Sequence, residues 1–371
     1  MKLLNTLKIV GAACLFTFCA FGAKAAEPAA KEATNVILFI GDGMSLAQWQ
    51  TGMITHQAPL NIEKMRSIGI VKTHSATDFN GDGPTHGTAM ASGIATRKGA
   101  VGLDVEGRPV KSITEYASEN GLATGIVSAN TLLEGSIAPF VAHVKSRMMT
   151  EEIAAAYVDG PALDVFIGGG LSAFRNRKDG RDLTAELRAK GFQVATSFDE
   201  MKNIRSGKLA GFTAEKNVPD IREGRGALFP ESVRLAISLL NQHEKGFFLL
   251  IGDMFVDRAS HAGDTELVGA ETIDLDKAVG EALAFAAKDG RTLVIVVGGP
   301  EASGMTLVGG NLADGKAEAK WTMPGMIHTG TMVPVFAFGP GAEAFQGIQE
   351  DTALFEKMKN ALLESPKTFA E

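Results

Sequence analysis

Only two of the 371 residues are cysteine, Cys14 and Cys19, and both lie in one apolar stretch near the start. That stretch reads as a secretory signal over residues 1–25. Lys2 and Lys8 precede or open an apolar segment, Ile9 to Phe21, and Ala23-Lys24-Ala25 offers a small-x-small cleavage site. The chain left after cleavage has no thiol, which excludes disulfides. Neither cysteine follows a leucine-led run of small residues, which argues against lipid attachment. Export without disulfides points to a periplasmic or extracellular protein that draws its stability from its core. A second long apolar run is lacking, and the first is too short and wrongly flanked to span a bilayer. Clusters of Lys and Arg are lacking too. The formal charge is −7, and losing Lys2, Lys8 and Lys24 lowers it to −10, which argues against nucleic acid as a partner. No repeat or low-complexity segment is found. Residues 26–33 read as a mobile leader, and 34–371 as a single domain.

What is present is an alternation of strand and helix signals. Strands are expected at Val36 to Ile40, Ile68 to Thr73, Ala123 to Val127, Asp164 to Ile167, Phe247 to Ile251, Leu293 to Val297 and Val333 to Phe338. Helices are expected near Leu46 to Ile54, Thr85 to Ser92, Ser112 to Asn120, Thr184 to Lys190, Pro230 to Gln242, Glu266 to Ala287 and Glu350 to Leu363. This order predicts an α/β fold, a three-layer sandwich with a central, mostly parallel sheet covered on both faces.

Val36-Ile37-Leu38-Phe39-Ile40 is a buried-strand pattern that stops at Gly41-Asp42-Gly43. A carboxylate at the carboxyl end of such a strand sits where open α/β sheets place ligands, although a turn whose Asp caps the next helix fits the same residues. Asp257 and His261 are four residues apart, on one side of a helical turn, and His328 precedes the strand at Val333. One carboxylate and two imidazoles are three ligands of a zinc site that keeps one position open. A helix-turn ion pair beside an unrelated histidine is the competing account.

In order and spacing, Ile40-Gly41-Asp42-Gly43-Met44, Thr88-Ala89-Met90-Ala91-Ser92-Gly93, Val141 to Arg147, Gly168-Gly169-Gly170, Asp257-Arg258-Ala259-Ser260-His261 and His328-Thr329-Gly330 resemble the motifs of the alkaline phosphatases, from about Thr34 to Pro340. The resemblance implies that family's sheet with a metal cluster at the strand ends. It also implies two zincs and a magnesium, a serine nucleophile at a helix N-terminus, an arginine that clamps a phosphate or phosphate ester, and often a homodimer. Carried over to this chain, Asp257, His261 and His328 fall at the first zinc, Arg147 at the phosphate clamp, and Asp42 at the carboxylate shared by the second zinc and magnesium. Glu134 and Ser136 fall at the oxygen ligands on the magnesium side. The nucleophile position holds Gly83, the second zinc's Asp-His pair is replaced by Gly299-Pro300, and the magnesium's Glu is replaced by Gly252.

Asp253 is one residue out of step with that Glu and should face the other side of its strand. Asp82, Thr85 and His86 neighbour Gly83, with Thr85 or Asp82 as substitute nucleophiles. Glu301 and Ser303 come after Pro300, which is expected to redirect the chain. The leading expectation is a degenerate phosphomonoester hydrolase that keeps one zinc. The alternatives are an active phosphomonoesterase using Thr85 or Asp82, a single-zinc esterase, and a non-enzymatic anion-binding or interaction protein.

Overall fold

A computed structural model describes residues 33–364 apart from positions 324 and 326, so the expected signal and nearly all of the leader lie outside the described residues. Its centre is β1 (Asn35–Gly43), every residue of which is buried. Val36, Leu38 and Ile40 point into one apolar core, and Ile37 and Phe39 into the other. A strand that must bury both faces is apolar without alternation, which is the pattern of parallel sheets covered on both sides.

The remaining strands of the large sheet are β2 (Ser67–Lys72), β3 (Ala123–Thr131), β4 (Val165–Gly169), β5 (Gln193–Ala195), β6 (Leu209–Phe212), β7 (Phe247–Asp253), β8 (Thr292–Glu301), β11 (Val333–Phe338) and β12 (Gly347–Glu350). Between β8 and β11, the exposed hairpin of β9 (Met305–Asn311) and β10 (Lys316–Trp321) pairs only with itself. The order in the sheet is β12-β2-β11-β8-β1-β7-β3-β4-β6-β5, and β11 alone runs against its neighbours. Residues of helices Leu46–His56, Leu228–Leu240 and Thr265–Asp289 pack on the face with Ile37 and Phe39. Those of Gly83–Ser92, Ile113–Glu119, Thr150–Asp159 and Thr352–Lys359 pack on the other.

Because β1, β3, β7 and β8 are parallel, their carboxyl ends share one rim, where Asp42, Thr131, Asp253 and Glu301 lie. Ligands of open α/β sheets gather at that rim. β8 does not turn at Pro300. It runs on to Glu301, paired with Gly43 across a register shift between Gly41 and Gly43, and such a bulge spares the ladder a proline N–H.

Toward the other edge, Phe166 on β4 packs its ring against Tyr157, Phe174, Phe192 and Phe212, with centroids 5.1 to 6.3 Å away. Phe166→Ala should lower unfolding free energy by about 3–5 kcal/mol in urea titration, and a loss under about 1 kcal/mol would mean the cluster carries little of this half of the sheet.

Candidate metal centre

β7 ends at Asp253, and the helix Phe255–His261 starts after a single connecting residue. Gly43, at φ 72°, lets the tip of β1 press against that helix; a Cβ there would stand 2.6 Å from the Cα of Asp257. Asp257 and His261 share a helix face. His328 is brought to them by a bridge to Ala302, just beyond β8, and the Asn80 amide donates to its carbonyl at 2.7 Å. Asp257 Oδ1 lies 3.1 Å from His328 Nε2 and 3.2 Å from His261 Nε2, and the rings stand edge to face at 5.1 Å. Burial would raise Asp257, but the two imidazoles outweigh it and hold the carboxyl at about 2. Burial opposes protonation of His328, and Asp257 reverses that, so its pKa is raised.

Ser303, which the sequence places beyond a proline expected to redirect the chain, orients this group. It sits at φ 64°, a region that costs a non-glycine residue about 1–3 kcal/mol. Its hydroxyl donates to the Gly325 carbonyl at 3.0 Å and stands 3.0 Å from His261 Nδ1. With the hydroxyl proton spent on the carbonyl, Nδ1–H donates to Ser303 Oγ. His261 Nε2 is buried, 3.2 Å from Asp257 Oδ1, and makes no hydrogen bond among the described residues. An Asp oxygen and two imidazole nitrogens, mutually within 4.8 Å, fit one zinc ion.

Asp42 lies beside this group and is buried, with Oδ1 making no hydrogen bond among the described residues. Burial, then the charge of Asp257, push its pKa up to about 6 against the pull of His328, Ser136 and His86. The space around it belongs to glycines. A Cβ on Gly299 would lie 2.3 Å from Asp42 Oδ1, and one on Gly83 would lie 3.2 Å from Oδ2. Gly252 is closed differently, since a Cβ there would meet Ile137 Cγ2 at 2.4 Å. Asp253 faces the opposite core, among Arg225, Glu271 and Asp274, where burial raises it to about 7 and Glu271 adds to the rise.

Glu134 and Ser136 follow β3 and are buried at the same rim. Glu134 accepts from Asn130 Nδ2 at 2.6 Å and lies 3.4 Å from Arg258 Nη2; burial still takes it to about 7. Asp82 and Thr85 are committed to each other. Asp82 caps the helix Gly83–Ser92 by accepting from Thr85 N at 3.0 Å, while Thr85 Oγ1 accepts from Asp82 N and donates to its carbonyl, both at 2.8 Å. Asp82 Oδ2 accepts from Gly99 N at 2.8 Å. His86 turns to Asp351, 3.0 Å away. Glu301 accepts from Gly304 N, Met305 N and Gln48 Nε2 at 3.0 to 3.3 Å.

Arg147 lies on a turn rather than on a helix, tied by its N–H to the Gly99 carbonyl at 2.8 Å. Its guanidinium is half-buried and has no carboxylate within 4.0 Å among the described residues. It lines a cavity of about 620 Å³ with Glu134, Arg258 and Lys216. The sequence reading missed Arg258 and Lys216; the adjacency of Arg258 to Asp257 was the available signal.

The family model described as "Alkaline phosphatase" matches residues 33–319. Alkaline phosphatase 4 of Bacillus subtilis is 29% identical, with 86% of this chain and 87% of the relative covered. Alkaline phosphatase of Escherichia coli is also 29% identical, covering 90% and 86%. The solved alkaline phosphatase of the Antarctic bacterium TAB5 superposes with a TM-score of 0.84 at 34% identity, covering 90% of this chain and 99% of that one.

Gly299→Ala should destabilise the protein by about 1–3 kcal/mol in urea unfolding, because the methyl and the Asp42 carboxylate claim the same space; a neutral substitution would show that Asp42 moves freely. Asp253 predicts a pH dependence. Its native pKa of about 7 exceeds the ordinary 3.8, so the folded protein holds a proton that the unfolded chain has released. Stability from this group therefore falls as pH rises through that window, with Arg225, Glu271 and Asp274 as its charged surroundings. The gain of Asp253→Asn over the parent should grow between about pH 4 and 7 and level off above it; a gain independent of pH would contradict the shift.

Proposed function

The chain belongs to the alkaline phosphatase family, and from that premise we propose an exported, degenerate phosphomonoester hydrolase that keeps one zinc site and the phosphate clamp while phosphoester hydrolysis is weak or absent. The observation that carries the reading is the surroundings of Asp42. Where a nucleophile and the second zinc's carboxylate are expected, Gly83 and Gly299 stand with the Asp42 carboxylate filling the space between. The side chain that would attack and the one that would hold the second ion are gone together.

Asp257, His261 and His328 would hold the remaining zinc, with Ser303 fixing the His261 tautomer. When bound, such an ion polarises an ester or phosphoryl oxygen. Arg147 offers a planar fork for two phosphoryl oxygens, with no carboxylate within 4.0 Å of it among the described residues. Magnesium has the weaker claim, because Glu134 and Ser136 remain but Ile137 fills the place next to Gly252. The capping box of Asp82 and Thr85 weighs against either as nucleophile, since recruiting them would uncap the helix.

Metal analysis of the purified mature chain should give about one zinc, abolished by Asp257→Ala, whereas two or more tightly held ions would overturn the reading. Turnover of para-nitrophenyl phosphate should be absent or feeble and unaffected by Thr85→Ala. Robust metal-dependent turnover that Thr85→Ala abolishes would establish an active enzyme in its place.

A further inference from the structure

The cavity beside the metal centre is larger than a phosphate clamp requires, and its lining offers more than the clamp. A volume of about 620 Å³ falls in the range of pockets that take a whole organic ligand. Arg147, Glu134 and Arg258 line it, and the space above Gly135 closes on the guanidinium, 3.5 Å from a would-be Cβ. The segment around Lys216 and Asn217 lines it as well, with Ser172 and Asn176. That segment is held by hydrogen bonds to backbone groups. Gly170 and Leu171 N–H donate to the Ala214 carbonyl at 3.1 and 3.2 Å, Ser172 N–H donates to Glu215 at 2.9 Å, and Val218 N–H donates to Asn130 Oδ1 at 3.0 Å.

The charge balance points to the ligand. Lys216, like Arg147, makes no ion pair among the described residues. Of the two acids lining the cavity, Glu134 accepts from Asn130 Nδ2 at 2.6 Å and lies 3.4 Å from Arg258 Nη2, and Glu151 accepts from the Lys178 N–H at 3.2 Å. With three cationic side chains against two carboxylates, the lining carries an excess of positive charge on a chain of net charge −7, which favours anions there. Ser172, Asn176 and Asn217 add donors and acceptors suited to hydroxyl groups.

We propose that this cavity recognises a hydroxylated phosphate ester bearing a second anionic group, the first phosphate at Arg147 and the second group at Lys216. The inference rests on Arg147 being the phosphate clamp and adds a second, separate anion contact that sets ligand class.

Isothermal titration of the mature, zinc-loaded chain with inorganic phosphate, glucose 6-phosphate and glucose 1,6-bisphosphate tests it. The bisphosphate should bind about ten-fold more tightly than the monophosphate. Lys216→Ala should erase that preference while leaving monophosphate affinity within about two-fold, and Arg147→Ala should weaken all three. Equal affinities for the two sugar phosphates, or a preference that survives Lys216→Ala, would overturn the second contact while leaving the phosphate clamp standing. Failure of all three ligands to bind would overturn both. Should a probe be hydrolysed, the same ratios are read in kcat/KM.

Discussion

The approach of the β1 tip to the helix Phe255–His261 is the constraint on which the site depends. Gly43 leaves no room for a side chain between strand and helix, so Asp257 sits against the end of the central strand and Asp42 beside it. From that single contact follow the placement of His261, one turn along the helix, and the arrival of His328 on the loop that β8 carries over Gly43. A side chain on Gly43 would separate the layers and disperse all three potential ligands. Glycine at this point is a matter of distance as much as of backbone angle.

Around this contact the protein keeps a high density of buried carboxylates. Asp42, Glu134 and Asp257 meet at one rim, and only Asp257 has two imidazoles close enough to hold it ionised. The others are pushed toward neutrality by burial. An isolated buried carboxylate is costly, so these groups are stable either protonated or beside a cation. The glycines opposite them have been built into the packing. Asp42 occupies the volume next to Gly299, and Ile137 fills the volume next to Gly252. A carboxylate at either position would collide with what fills the space.

Much of the architecture was legible because β1, β3, β7, β8 and β11 bury one or both faces and carry the apolar patterns that burial requires. The strands that escaped, β5, β6, β9, β10 and β12, are three to seven residues long, and most lie at an edge or in the exposed hairpin. Exposed strands have little hydrophobic pattern to read. At the site, Asp257, His261 and His328 could be nominated from residue type and spacing, and their convergence on one carboxylate oxygen is a fact of the fold. Ser303 could be named but its role could not be read, because that role depends on a left-handed backbone angle and on a carbonyl from Gly325. Pro300 misled: a proline in a strand reads as a break unless a bulge in the partner is known.

The residues by themselves determined which chemistry is available: a chain without thiols beyond its first segment, an apolar central strand tipped with Asp42, one Asp-His-His set, and glycine where other side chains were expected. These are properties of residue type and local order, which a linear chain states directly. Tertiary structure decided what each group has for company. Thr85 and Asp82 hydrogen-bond each other, Asp253 is turned to the opposite core, and Arg147, with no ion pair among the described residues, lines a cavity together with Lys216. Partnership across the sheet rim joins residues far apart in the chain, and no local pattern encodes it.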